Sequence, residues 1–154
     1  MSEEAGIYAR ESAYLDRYVQ FGEAGTRVIS LSFPHAPEDD AGEDHALLDR
    51  VEGYLEEGAE DDFDDVTVAL TVPTELRSVL ETVRQVPYGE QVSVERLAAM
   101  TPGLDPDESE DRETVRRALA DNPTPLLVPD HRVRDGPSGA PPEVEQRLRS
   151  LEGL

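Results

Sequence analysis

The sequence predicts an α/β first half followed by a helical second half. Three observations carry this: strand-like alternation over residues 28–33, apolar positions three and four apart over 44–57, and a run of helical stripes after Pro73. Shorter strand-like pieces come first, at Tyr14-Leu15 and Tyr18-Val19-Gln20-Phe21. Over 28–33 a two-residue period puts Val28, Ser30 and Ser32 on one face and Ile29, Leu31 and Phe33 on the other, a half-buried strand. Gly22-Glu23-Ala24-Gly25 suggests a hairpin connection. Residues 34–43, rich in Pro and Asp, read as loop. Leu47, Leu48, Val51, Tyr54 and Leu55 form the stripe of a helix over 44–57, which Gly58 can stop. The acidic run 59–65, interrupted by Phe63, reads as a solvated loop. Val66, Val68 and Leu70 then alternate as a strand or an extended connector. Pro73 ends it, and a domain boundary near residue 72 divides the chain into 1–72 and 73–154.

In the second half Thr74 is placed to cap a helix with the stripe Leu76, Val79, Leu80, Val83 and Val86. Pro87-Tyr88-Gly89-Glu90 is a turn. Ser93 caps a short helix that buries Leu97 and Met100. After a polar loop, Asp111 is the expected N-cap of a helix to Asp121, with Val115, Ala118 and Leu119 inward. On it Arg112 and Arg116 share a face, and Glu113 can pair with Arg117. Leu126-Leu127-Val128 reads as a buried strand-like run that surfaces at Pro129-Asp130-His131-Arg132-Val133. Residues 136–142 are loop, and 143–151 form a last helix burying Val144, Leu148 and Leu151. Two short helices, the second carrying arginines, are compatible with a helix-turn-helix, although a small helical domain that never meets nucleic acid is the commoner source of this pattern.

Charge narrows the classes further. The chain of 154 residues carries 35 acidic and 14 basic residues, all of them arginine, for a net charge of −21. Repulsion at that density weakens a folded state in dilute buffer. Salt at about 1 M cuts the Debye length to about 3 Å, so the composition reads as adaptation to a saline cytoplasm. An acidic interaction surface is the alternative. The charge is uneven: net −15 over residues 1–70, net −6 over 71–154, and +2 within 112–134. There is no cysteine, which excludes disulfides, thiolate metal sites and thiol nucleophiles. Three scattered histidines suggest no metal centre, and no cofactor is indicated. No apolar run is long enough to span a membrane, and the acidic start is unlike a signal peptide, so a cytoplasmic monomer is expected.

Val86-Pro87-Tyr88-Gly89-Glu90, residues 93–98 and 116–120, and Asn122-Pro123-Thr124-Pro125-Leu126-Leu127-Val128-Pro129-Asp130-His131-Arg132-Val133 together resemble the C-terminal domain of the O6-alkylguanine-DNA alkyltransferase family. The order of segments in the first half resembles its smaller partner domain. The resemblance implies a ribonuclease-H-like mixed sheet over 1–72 and a winged-helix, helix-turn-helix domain over 73–154. It also implies duplex DNA as partner, an alkylated guanine turned into a pocket, and irreversible alkyl transfer to a cysteine thiolate. The nucleophile position is Asp130 here. His131 matches the histidine that activates the thiol, Glu152 the glutamate that orients it, Arg132 a structural arginine, and Asn122 the asparagine of the active-site turn. Valine stands at 94 where the family has tyrosine, and either Arg112 or Glu113 occupies the position of the base-replacing arginine. Residues 135–142 are shorter than the family's pocket loop.

The expected DNA contacts are Arg112, Arg116, Arg117, Arg132 and Arg134, and the expected pocket is Tyr88, Val94, Asn122, Pro129, Asp130 and His131. Alkyl transfer needs a soft, strong nucleophile, and a carboxylate is a poor one toward carbon. No catalytic residue is therefore expected, Asp130, His131 and Glu152 being degenerate positions. The expected function is alkylated-DNA binding without transfer, signalling to repair proteins. One alternative is a diverged structural or protein-interaction homologue. Another is a dealkylase that uses Asp130 through a hydrolysable ester.

Overall fold

The computed structural model describes residues 5–154, and the acidic start weighed against a signal peptide lies outside them. Three strands come first: β1 (Ala5–Ser12), β2 (Arg17–Ala24) and β3 (Arg27–Ser32), antiparallel and in that spatial order. Tyr14-Leu15 lies in the turn between β1 and β2, not in a strand, and Asp16 beside it has a left-handed φ of 54°. The second turn falls on Gly25 (φ 63°) and Thr26, so Gly22 to Ala24 belong to β2 and not to the hairpin connection. Gly22 pairs with Ser30 and Glu23 with Val28, which leaves Ile29 as the extra residue of a β-bulge. The bulge breaks the expected alternation. Val28 and Leu31 both face the core while Ile29 turns outward.

The sheet is antiparallel throughout rather than mixed. Residues 66–71 form an extended connector that touches β3 at a parallel bridge, Val28 to Val68. Helix α1 (Ala46–Glu57) packs the expected stripe against the sheet. Its N-terminus is capped by His45, whose Nδ1 accepts from the Leu47 N–H at 3.0 Å, and Gly58 ends it at φ 70°. The acidic run after it is no simple solvated loop. Phe63 is buried against Tyr54, and Arg50 clamps Asp61 and Asp65 at 2.8 and 2.9 Å.

Helices α2 (Thr74–Val83), α3 (Val94–Met100) and α4 (Ser109–Ala120) enclose a second hydrophobic cluster with Val128 and Val133. Thr74 is the first helical residue after Pro73 and makes no side-chain cap. Ser93 does cap α3, accepting from the Arg96 N–H at 2.9 Å, while Met100 is only half-buried and Val94 and Ala98 take the inner face. Helix α4 begins three residues earlier than Asp111 as its N-cap would have it, with Glu108 in the cap position. Asp111 sits in the first turn and accepts from the Asp105 N–H at 2.9 Å.

Leu126 to Val128 are buried as expected but form a turn, Leu126 taking a φ of 82°, and the chain then makes one 3₁₀ turn over Asp130–Arg132. Helix α5 (Pro142–Glu152) returns to the first cluster and lodges Val144 and Leu148 there, with Leu151 half-buried. Tyr14 and Arg147 fasten it: the Tyr14 hydroxyl donates to the Arg147 carbonyl at 2.6 Å, and Arg147 Nη1 donates to the Tyr14 carbonyl. Among the described residues no helix is long and apolar enough to cross a membrane.

Candidate functional site

Asn122, at the end of α4, builds the turn that carries the site. Its Nδ2 donates to the Val128 carbonyl at 3.0 Å and to Asp130 Oδ2 at 2.9 Å, and its Oδ1 accepts from the Thr124 N–H at 3.0 Å. One side chain thus holds the buried Leu126 to Val128 turn and points Asp130 inward. The run does not surface: Asp130 and His131 are 0% exposed and Arg132 is 2% exposed. Pro129 is buried with them.

The Asp130 carboxylate has both oxygens engaged. Ser138 Oγ donates to Oδ1 at 2.6 Å, and the Gly139 N–H joins Asn122 on Oδ2 at 2.8 Å. Burial pushes the Asp130 carboxyl up, and these three donors oppose that rise without cancelling it. The loop that supplies Ser138 and Gly139 lies hard against the site. A Cβ at Gly139 would stand 2.4 Å from the Asn122 carbonyl oxygen, and one at Gly136 would stand 2.6 Å from Leu119 Cδ1 and 3.1 Å from Val94 Cγ2. Only glycine permits so close an approach. Val94 is buried at the start of α3, its N–H donating to Asp135 Oδ1 at 2.7 Å. Of the expected pocket positions Asn122 bonds Asp130, Val94 and Pro129 are buried, and His131 and half-buried Tyr88 belong to a neighbouring group around Glu152.

His131, Arg132 and Glu152 form a second buried group. Glu152, at the end of α5, accepts from His131 Nε2 at 2.7 Å, from Arg132 Nε at 2.8 Å, from the Gly89 N–H at 3.0 Å and from the Tyr54 hydroxyl. Burial alone would raise the Glu152 carboxyl, but the His131 and Arg132 donors outweigh it and hold it well below the usual carboxylate range. Burial and the Glu152 charge push the Tyr54 phenol up. Arg132 also donates to the Val86 carbonyl at 2.8 Å and to Asp62 Oδ1 at 3.0 Å. Half-buried Tyr88 sits under the Arg132 guanidinium, 5.7 Å from it, and its N–H donates to Asp62 at 2.8 Å. Among the described residues His131 Nδ1 is buried without a partner, a costly state for a ring nitrogen.

The arginines expected to meet DNA divide. Arg132 cannot contact a duplex, because its guanidinium is spent on Glu152 and Asp62 in the interior. Arg112 Nη1 is tied to the Pro106 carbonyl at 2.7 Å. Arg116 pairs with Glu113 at 3.7 Å, and Arg117, expected to take that partner, reaches Glu75 on α2 at 3.2 Å. Arg134 is exposed and makes no ion pair among the described residues, its N–H donating to the Val92 carbonyl at 2.9 Å. The N-terminal turn of α4 carries Glu110 and Asp111. That turn is a poor seat for phosphate despite its free amides.

Tyr54, Asp62, Ser138 and Gly139 belong to the site and are absent from the set expected from sequence. Tyr54 stood in the core stripe of α1 and Asp62 in an acidic run, so neither carried a mark of its own. The Ser138-Gly139 pair in the shortened loop was the one readable signal. Among the described residues no group of three or more acidic and histidine side chains is placed to hold a metal. Chemically, the arrangement can fix a turn and lock α1, α5 and the loop together. The Asp130 carboxylate within it is not exposed to solvent.

Comparison with known proteins places the chain in a family. Residues 76–152 match the profile of the 6-O-methylguanine DNA methyltransferase DNA binding domain. The chain is 36% identical over 110 residues to the methylated-DNA–protein-cysteine methyltransferase of Methanopyrus kandleri, covering 70% of this chain and 78% of the relative. It is 29% identical over 131 residues to the enzyme of that name from Metallosphaera sedula, covering 82% and 79%. The fold is similar to that of Mycobacterium tuberculosis OGT in complex with DNA, with a TM-score of 0.70 over 97% of this chain and 91% of the other at 20% identity. With the Asn122 turn and the Asp130-His131-Arg132 run in the matched segment, the chain belongs to the 6-O-methylguanine DNA methyltransferase family.

Proposed function

We propose that this chain is a DNA-binding member of the family that transfers no alkyl group: it holds duplex DNA containing O6-alkylated guanine and hands the site to repair proteins. The observation that carries the non-catalytic part is the Asp130 carboxylate, 0% exposed, with both oxygens hydrogen-bonded where the chemistry requires a free thiolate. An ester intermediate at Asp130 would need the same carboxylate freed and exposed, so the dealkylase alternative has no geometric support.

In this reading 1–72 is the ribonuclease-H-like domain and 73–154 the winged-helix domain, with α3 and α4 as the helix-turn-helix. The protein works as a cytoplasmic monomer in molar salt. Arg134, with Arg112, Arg116 and Arg117 after they leave their present partners, supplies the phosphate contacts. Counterion release contributes little at high salt, so fit and hydrogen bonding carry most of the affinity. An extruded base would have to lift Ser138 and Gly139 off Asp130.

A second reading, a homologue that works through protein partners without DNA, is favoured by the pairing of Arg116 with Glu113 and Arg117 with Glu75. Fluorescence anisotropy with duplexes containing guanine or O6-methylguanine, at about 0.2 M and about 2 M KCl, separates the two. Binding at micromolar protein, stronger for the modified duplex and with no methyl gained by the protein in intact mass, is the expected result. No binding at either salt leaves the protein-partner reading.

A further inference from the structure

The solvent face of the β1–β3 sheet carries a cleft of about 680 Å³. Its floor is made by Ile7 and Ile29, 43% and 38% exposed, the large apolar side chains most open to solvent among the described residues. The backbone explains both the exposure and the hollow. Ile29 is the bulge residue, pushed out of the ladder, and Gly22 pairs with Ile7 on one side and Ser30 on the other. No side chain at Gly22 fills the gap, and a Cβ there would stand 3.1 Å from Ser30 Oγ and 3.5 Å from Ile29 Cγ1.

One wall is Glu38, Asp39 and Asp40, held beside the sheet by the Glu38 N–H donating to Gln20 Oε1 at 2.8 Å. These three carboxylates have no ion-pair partner among the described residues, and no arginine lines the cleft. Elsewhere in this half Arg10, Arg17 and Arg50 each hold an acidic side chain. The cleft therefore pairs an apolar floor with an uncompensated acidic wall.

We infer that it receives an extended basic segment of a partner protein. An aliphatic side chain of that segment lodges between Ile7 and Ile29, and the Lys or Arg residues beside it face Glu38, Asp39 and Asp40. Charge complementarity selects this occupant. A second copy would bring a chain of net charge −21, and nucleic acid would bring phosphates, against a wall that is already negative. The apolar contact sets the register and survives salt, while the ionic contacts add selectivity for basic segments over acidic ones. Every residue involved precedes residue 72, so the inference does not depend on the DNA reading.

The test uses the full chain, labelled with nitrogen-15, and an acetylated, amidated peptide Gly-Arg-Leu-Arg-Val-Arg-Gly. One control peptide replaces its aliphatic residues with serine and another replaces its arginines with glutamate. The expected result is amide shift changes concentrated at Ile7, Gly22, Ile29 and Ser30, with both controls weaker by about fivefold or more. Ile29→Ser should weaken the basic peptide by about tenfold with the far-UV circular dichroism unchanged. If that variant does not fold, the paired change Asp39→Asn with Asp40→Asn should weaken the basic peptide and leave the serine control as it was. Changes spread evenly over the acidic surface, equal binding of the serine control, or no binding would overturn the inference. So would a concentration-dependent dimer abolished by Ile29→Ser, which would assign the cleft to a second copy.

Discussion

Half-buried Ser138 and buried Asp130, eight residues apart in sequence, share a hydrogen bond of 2.6 Å at the centre of the site. It fastens the loop over residues 134–140 to the turn that carries Asp130. Together with the Gly139 N–H and Asn122 Nδ2, it makes Asp130 the keystone of a closed turn.

Asp130→Cys alone should not create an alkyl acceptor. The thiol would lie in the same interior, beneath the same loop, with Val94 and Leu119 still packed against Gly136. Intact mass of the variant after incubation with duplex containing O6-methylguanine should show no methyl gain. A methylated protein would mean the loop opens readily.

Glu152→Ala should be among the most destabilising single changes in the chain. It leaves the Arg132 guanidinium and the His131 ring buried without their carboxylate, and breaking such a pair costs about 3–5 kcal/mol. Urea unfolding followed by circular dichroism would measure it. Phe63→Ala serves as a comparison in the same region, a cavity plus the loss of the ring under Arg50, costing about 3–5 kcal/mol.

The two buried carboxylates should pull the acid limb of the stability curve in opposite directions. Glu152 is held below its unfolded value, so its contribution is complete above the ordinary carboxylate range and is lost as pH falls through that range and below. Asp130 is raised above its unfolded value, so the native state takes up its proton first and gains relative stability as pH falls. Between pH of about 6 and about 3, Glu152→Gln should therefore flatten the limb and Asp130→Asn should steepen it. Unfolding free energies across that window check both signs.

Salt should raise the melting temperature. A net charge of −21 repels itself, and KCl screens that repulsion, so the transition should rise between about 0.1 M and about 2 M. Scanning calorimetry at matched pH would show it, and a flat response would leave the composition without its saline explanation.

Glu113→Gln should tighten DNA binding, because it removes a negative charge from α4 and releases Arg116 from its 3.7 Å partner. A gain of about threefold to tenfold at low salt, shrinking at high salt, is the expected anisotropy result.

Much of this was legible in the chain itself where local rules decide. The stripe from Leu47 to Leu55 with Gly58 behind it became α1, and Ser93 became the cap of α3, because spacing and a single hydrogen bond suffice there. The Asn122 to Val133 run was joined into one unit by its family resemblance and not by a local rule. What escaped depends on partners far away in sequence. Asp62 meets Arg132 across 70 positions and Tyr54 meets Glu152 across 98, and no local pattern announces either contact. The bulge at Ile29 and the left-handed Leu126 escaped for another reason: both are backbone adjustments that alternation and apolar runs do not encode. Arg132 was counted among the DNA contacts because it falls in the slightly basic island 112–134, whereas a buried carboxylate at the end of α5 draws it inside.

Val144 and Leu148 sit in the cluster formed by the opening strands and α1, and Tyr14 is laced to Arg147 by two hydrogen bonds. During synthesis the opening sheet therefore emerges with one wall of its interior missing and keeps apolar surface bare until α5 has left the ribosome. A chaperone would meet the nascent chain at that bare wall, and halves produced separately should be recovered only when expressed together.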